Sequence, residues 1–318
     1  MLPAAAALVL TLLAAGCASP VPEPAPHSRL NLPLPTFGGS QLWADARWRA
    51  GWRIQEHVGT GHFRLLDPAN IRRAWGSGEA CLAELDARVP PNAPAVADER
   101  PLVILLHGMG RTRVSFARMK RELEAAGLRT ARLTYPSTRR SIEQHVEWLE
   151  SVLGALAADG QARSVHFVTH SLGGIVVRGT LARGGAWRGG LEVGRIVMLG
   201  PPNQGSAFAD RLAGWRLFRW IYGETGVALV PAEVRRYPAP DRPFLVIAGA
   251  RGDGRGWNPW LPGEDDGVVR LEETYLEGAA GHVIVRCLHA FLAADREAIA
   301  HTLDFLTNQP RGGDSTKS

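Results

Sequence analysis

The sequence predicts an α/β fold with a mostly parallel central sheet, helices on both faces and an antiparallel hairpin at its start. Three observations predict it. From residue 102 onward, short β-branched and apolar runs alternate with helical segments, the pattern of parallel strands joined by crossover helices. Trp52–His57 and Gly61–Leu66 flank Val-Gly-Thr-Gly, the turn chemistry of a hairpin. The chain has 318 residues, 45% of them hydrophobic, which is enough to bury one large core.

In order, the chain opens on an apolar run, Met1–Gly16, too short to span a bilayer and of the length of a signal h-region. Leu13-Ala-Ala-Gly-Cys17 resembles a bacterial lipoprotein cleavage box, implying a lipidated Cys17 and a periplasm-facing place in the cell envelope. An ordinary cleaved signal peptide is the alternative. Residues 17–36 are Pro-rich, stay extended and read as a tether between membrane and a domain over 37–308, with a tail at 309–318. Cys81 and Cys287 remain, and spacing alone leaves their pairing open.

Within the domain, Ile71–Val89 is expected to be partly helical around Cys81-Leu-Ala-Glu-Leu85, and Pro90–Pro94 is a linker. Leu102–Leu106 is a fully buried strand running into His107-Gly-Met-Gly110. Helix Val114–Ala126, strand Leu128–Leu133, helix Ile142–Ala157 and strand Ser164–Val168 follow. Strand Arg195–Leu199 runs into Gly200-Pro-Pro-Asn-Gln-Gly-Ser206, and then a helical stretch continues to about Tyr222. Strand Phe244–Ala248, an irregular acidic segment, strand His282–Arg286 and helix Ala290–Leu306 complete the chain.

The formal charge of +5 comes from scattered arginines with no lysine-rich block, which argues against a nucleic-acid partner. No phosphate loop, dinucleotide fingerprint or zinc spacing is present, so neither cofactor nor metal is expected. Parallel sheets place ligands beyond the carboxyl ends of their strands. The loops there carry His107–Gly110, Tyr135-Pro-Ser, His170-Ser171-Leu172, Gly200–Gln204, the acidic segment and Cys287-Leu-His289.

Among these, Ser171 sits at the apex of a strand-to-helix turn, with Gly173 and Gly174 behind it. A serine hydroxyl becomes a nucleophile only when exposed on such a turn, near a base and free backbone N–H groups. A side chain at position 173 is expected to collide with the incoming strand. Late in the chain, His289 lies just past a strand's carboxyl end, whereas His282 opens that strand at the far end and His301 lies inside the last helix. His289 is therefore the expected base, with His282 second.

The turn resembles the nucleophile elbow of the α/β-hydrolases in the Ser-Leu-Gly-Gly form common in lipases, except that Thr169 replaces the usual first glycine. The order serine, acid, histidine is that family's order. Pro262-Gly-Glu-Asp-Asp-Gly-Val-Val269 resembles the Asp-Gly-x-Val loop of lipase-like hydrolases, pointing to Asp266 as the acid, with Asp265 the close alternative. By the same resemblance the N–H groups of Leu172 and Met109 form the oxyanion hole.

The likeness covers roughly Trp52–Leu306 and is nearest to lipase-like bacterial hydrolases of the triacylglycerol-lipase kind. It implies a serine hydrolase acting on an apolar acyl ester, membrane-held through Cys17. A thioesterase, an acyltransferase or a catalytically silent lipid-binding lipoprotein are the other readings, and the oligomeric state is left open. On a helix over Arg211–Tyr222, Leu217, Phe218 and Ile221 share one face and Arg211, Arg216 and Arg219 the other. This segment is either a short cap, within about 207–240, or a core helix with a solvated arginine face.

Overall fold

The computed structural model describes residues 33–36, 40–91, 98–206 and 229–307. The Cys17 box, the tether up to residue 32 and the Arg211–Tyr222 segment lie outside these residues, whereas Leu34 and Pro35, at the end of the expected tether, pair as a short strand with Arg72 and Ile71. Among the described residues eleven strands form two sheets, one of five strands and one of six.

The six-stranded sheet is parallel throughout. It contains β6 (Leu102–Leu106), β7 (Arg129–Leu133), β8 (Ser164–His170), β9 (Glu192–Leu199), β10 (Phe244–Gly249) and β11 (Gly281–Val285), in the order β11-β10-β9-β8-β6-β7. The direction of travel reverses between β6 and β8, so the loops after these two strands part there and leave a crevice at their carboxyl ends.

Period-two alternation explains why β6 is apolar along its whole length. Leu102, Ile104 and Leu106 pack with one helical layer, which includes α3 (Ile142–Ala158) and α4 (Leu172–Arg183). Val103 and Leu105 pack with the other, from α2 (Ala117–Ala125) and α6 (Arg296–Thr307). α3 begins at a full capping box: Ser141 Oγ accepts from the Gln144 N–H, and Gln144 Oε1 accepts from the Ser141 N–H. The expected last helix is two pieces, a 3₁₀ turn His289–Ala294 and then α6, because Asp295 Oδ1 caps the Glu297 and Ala298 N–H groups. α5 (Pro231–Val234) is a single turn with proline at its start.

The expected hairpin is the middle of an antiparallel sheet of its own, ordered β1-β5-β4-β3-β2. Its strands are β1 (Leu34–Pro35), β2 (Trp43–Arg49), β3 (Trp52–His57), β4 (Phe63–Leu66) and β5 (Ile71–Gly76). The region from Ile71 is thus strand first, and helix only over α1 (Gly78–Arg88). Ile54, Leu65 and Ala74 face Cys81 and Leu85 of α1.

The opposite face of this sheet carries buried charge. Asp45 accepts from Arg53 (3.2 Å), Gln55 (2.7 Å) and the Thr134 N–H (2.7 Å). The Asp45 N–H donates to Thr134 O, tying β2 to the end of β7 (2.9 Å). Cys81 and Cys287 are both free and buried, and burial pushes each thiol up to about 11. Among the described residues no helix is long and apolar enough to cross a membrane.

Candidate active site

β8 delivers the chain to Ser171, whose backbone stands at φ 52, ψ −122, before α4 starts at Leu172. A non-glycine residue in that region costs ~1–3 kcal/mol, held here by its surroundings. The Ser171 N–H donates to Leu199 O, and Ser171 O accepts from the Gly174 N–H, both at 2.9 Å. Thr169 fits because its buried hydroxyl donates across to Val197 O of β9 (3.2 Å).

Gly173 is obligatory for a reason slightly different from the expected one. A Cβ there would stand 2.6 Å from Leu106 O, so the collision is with the end of neighbouring β6 rather than with the incoming strand. Leu172 is the first residue of α4, so its N–H has no carbonyl one turn back to pair with.

The other side of the crevice is the loop after β6. Its conformation is pinned from several directions. Tyr135 Oη donates to His107 O (2.6 Å), the Gly110 N–H donates to Ser137 Oγ (3.1 Å), and Gln41 Nε2 donates to Arg111 O (2.9 Å). His107 is fully buried and stacked on Tyr135, and burial holds it down at about 4, so it is a neutral structural ring. The Met109 N–H makes no hydrogen bond to a described residue.

His289 follows β11 and is joined to Asp266 twice. Its backbone N–H donates to Asp266 O (2.8 Å), and its Nδ1–H donates to Asp266 Oδ2 (2.6 Å). The second oxygen, Oδ1, accepts from the Val268 and Val269 N–H groups (3.0 and 2.8 Å), which fixes the carboxylate in its buried place. The bond at Nδ1 puts the imidazole proton there and leaves Nε2 as the lone-pair nitrogen. Asp265 faces its own loop instead, its Oδ1 accepting from Trp257, Asn258 and Gly267 N–H groups. His282 is hydrogen-bonded to Thr274 Oγ1 (2.8 Å), away from this pair.

Space for the pair comes from glycine. At Gly200, with φ 54, a Cβ would lie 3.0 Å from His289 Nδ1 and 3.2 Å from Asp266 Oδ2. His170, beside the serine, supplies the link between the two halves. Its Nε2–H donates to His289 O (2.9 Å), its ring centroid lies 4.6 Å from that of His289, and Gly108 leaves room for it. Burial, then the neighbouring His289, keeps His170 well below the usual histidine range. No hydrogen bond joins Ser171 Oγ to His289 in this structure.

A family model described as "Alpha/beta hydrolase family" matches residues 103–309. The chain belongs to the α/β-hydrolase family. The same fold appears in the lipase BlEst2 of Bacillus licheniformis. Its mature form is 18% identical over 66% of this chain and 94% of that one, with a TM-score of 0.55. Its propeptide form is 19% identical over 71% of this chain and 53% of that one, with a TM-score of 0.56. No curated protein matches in sequence.

For an α/β-hydrolase, the sequence-derived residues Ser171, Leu172, Met109, Asp266 and His289 all fall at the carboxyl end of the parallel sheet. Sequence reasoning put His170 and Gly200 at the strand ends without these contacts, and missed Gly249. A Cβ at Gly249 would lie 2.4 Å from Cys287 O and 2.8 Å from Asp266 Cβ. Their signal was position, since His170 precedes the serine and each glycine ends a strand. Among the described residues no group of three or more His, Cys, Asp or Glu side chains converges as metal ligands would.

Proposed function

We propose that this α/β-hydrolase is a serine hydrolase that cleaves carboxylic esters with apolar acyl groups. The observation that carries the reading is a buried Asp266–His289 hydrogen bond of 2.6 Å, at the same carboxyl end of the sheet as a serine held at φ 52 on a strand-to-helix turn. His289 Nε2 takes the Ser171 Oγ proton as Oγ bonds to the acyl carbon. Asp266 keeps the ring in the required tautomer and stabilises the imidazolium. The Met109 and Leu172 N–H groups, unspent in the fold, receive the oxyanion, and losing one such donor typically costs ~3 kcal/mol of barrier. The C–O bond then breaks, and the alcohol leaves with the proton from His289. Water, deprotonated by the same nitrogen, attacks the acyl-enzyme and regenerates Ser171.

Apolar preference is supported by side chains around the base. Trp257, Val268, Leu288 and Phe291 are exposed at 37, 39, 37 and 61%. Leu288 and Trp257 both approach Gly267, next to Asp266. Lipidation at Cys17 would hold the enzyme at a membrane where such substrates reside. The test is hydrolysis of p-nitrophenyl esters by wild type and Ser171→Ala. Turnover in the folded variant should fall by about 10⁴-fold or more. Wild-type turnover in that variant would remove Ser171 from the mechanism.

A further inference from the structure

The face of the antiparallel sheet opposite α1 holds more positive charge than the described residues neutralise. At its open end lies a groove of about 410 Å³, lined by Trp43, His57, Arg64, Arg72 and Trp75 together with His62 and residues of β1, and by no carboxylate. That volume is within the ~300–1,000 Å³ range of small-molecule sites. The strands bring these side chains together. Trp43 is directly opposite His57 in the β2–β3 register, and Arg64 is opposite Trp75 in the β4–β5 register.

Arg64, Arg72 and His57 each keep a donor that the described residues leave unused. Arg64 is nine-tenths buried. Its Nε and Nη2 donate to Gln55 Oε1 (3.0 and 2.8 Å), and its guanidinium lies over Trp43 at 3.8 Å, leaving Nη1 unused among the described residues. Arg72 lies over Trp75 at 5.6 Å and its buried Nε has no partner. Neither arginine forms an ion pair with a described residue.

The tautomer of His57 is fixed by its own turn. Nδ1 accepts from the Gly59 and Thr60 N–H groups, both at 3.2 Å, so the proton is on Nε2, which has no hydrogen-bond partner among the described residues. The nearest buried carboxylate, Asp45, is already engaged by Arg53, Gln55 and a backbone N–H. Arg64 is held down to about 10 by burial and then by Arg53, against the opposing pull of Asp45.

We infer that this groove binds an organic phosphate ester, its phosphate oxygens taken by Arg64, Arg72 and His57 and its organic part lying against Trp43 and Trp75. Guanidinium forks suit a tetrahedral oxyanion with several acceptor oxygens. The tryptophan walls give contact area that inorganic phosphate would leave empty. Such a compound could arrive free in solution or as the headgroup of an anionic phospholipid.

Two measurements on the full-length chain, both in the Ser171→Ala background to prevent turnover, separate these sources. Isothermal titration uses glycerol 3-phosphate, with inorganic phosphate for comparison. Flotation compares phosphatidylcholine vesicles with and without phosphatidylglycerol. Arg72→Gln is the main variant, because Arg72 donates no hydrogen bond within the described fold. Circular dichroism and the unfolding midpoint check its folding, and Trp75→Ala serves if it fails.

The expected result is binding of glycerol 3-phosphate tighter than inorganic phosphate, weakened at least about tenfold in the variant. Excess binding to phosphatidylglycerol vesicles alone, lost in the variant, also supports the site and assigns it to a lipid headgroup. No binding to either probe, or binding unchanged in both folded variants, overturns the inference.

Discussion

His145 offers a test of the buried interior that does not depend on catalysis. It lies in the first turns of α3, fully buried, with Tyr135 edge-on at 4.9 Å, and neither ring nitrogen has a partner. Burial, and secondarily Arg140, presses it down to about 3. His107, at about 4, and His170, well below the usual range, are buried neutral rings as well. In each case the unfolded chain binds the proton near pH ~6.5 and the folded chain does not, so stability falls as pH drops through that value and continues falling toward the folded one.

Between about pH 7.5 and about pH 5.5 each such ring costs about 1.4 kcal/mol, and the three together about 4 kcal/mol. Replacing His145 by leucine removes one of the three and also removes two unpaired polar atoms from the core. His145→Leu should therefore raise stability at neutral pH by about 1–2 kcal/mol and reduce the acid-induced loss by about 1.4 kcal/mol. Urea unfolding followed by tryptophan fluorescence at the two pH values measures both quantities. A variant less stable than wild type, with an undiminished acid loss, would mean that His145 has a partner in the folded protein and would refute the reasoning.

Four further outcomes are expected. Asp266→Asn should lower kcat by about 10⁴-fold with little change in unfolding midpoint, since the lost carboxylate orients His289. Asp265→Ala should chiefly destabilise its loop, because that carboxylate serves three backbone N–H groups. His289→Ala should cut ester turnover by several orders of magnitude while His282→Ala changes it little, and steady-state kinetics of the pair would expose a reversed assignment. Gly173→Ala should lose activity and about 1–3 kcal/mol of stability by thermal unfolding, because its Cβ would press on Leu106 O at 2.6 Å. Wild-type stability would show that the elbow can yield.

The parallel sheet and the ends of its strands were readable because β6 and β10 are apolar throughout and strand-end chemistry follows from topology. Ser171 and His289 could be placed for that reason. Asp266 and Asp265 could not be separated, as adjacent carboxylates point opposite ways and only the loop's N–H groups decide which turns to His289. The five-stranded sheet was mostly hidden. β5 reads Ile-Arg-Arg-Ala-Trp-Gly, and β2 and β3 carry Arg49 and Arg53, which are buried by guanidinium–carboxylate pairing rather than by hydrophobicity. Hydropathy does not register that kind of burial. Gly200 was readable only as a strand end and Gly249 not at all, because their role is to leave room for side chains remote in sequence.

The central claim is that Ser171 is the nucleophile and His289 its base. Treatment with a fluorophosphonate followed by peptide mass spectrometry tests it most directly, because the probe bonds covalently only to an activated serine. The account predicts a single phosphonylated peptide carrying the adduct on Ser171, absent in Ser171→Ala and formed far more slowly in His289→Ala. An adduct on another serine, or ester turnover by a protein that takes no label at Ser171, would contradict it.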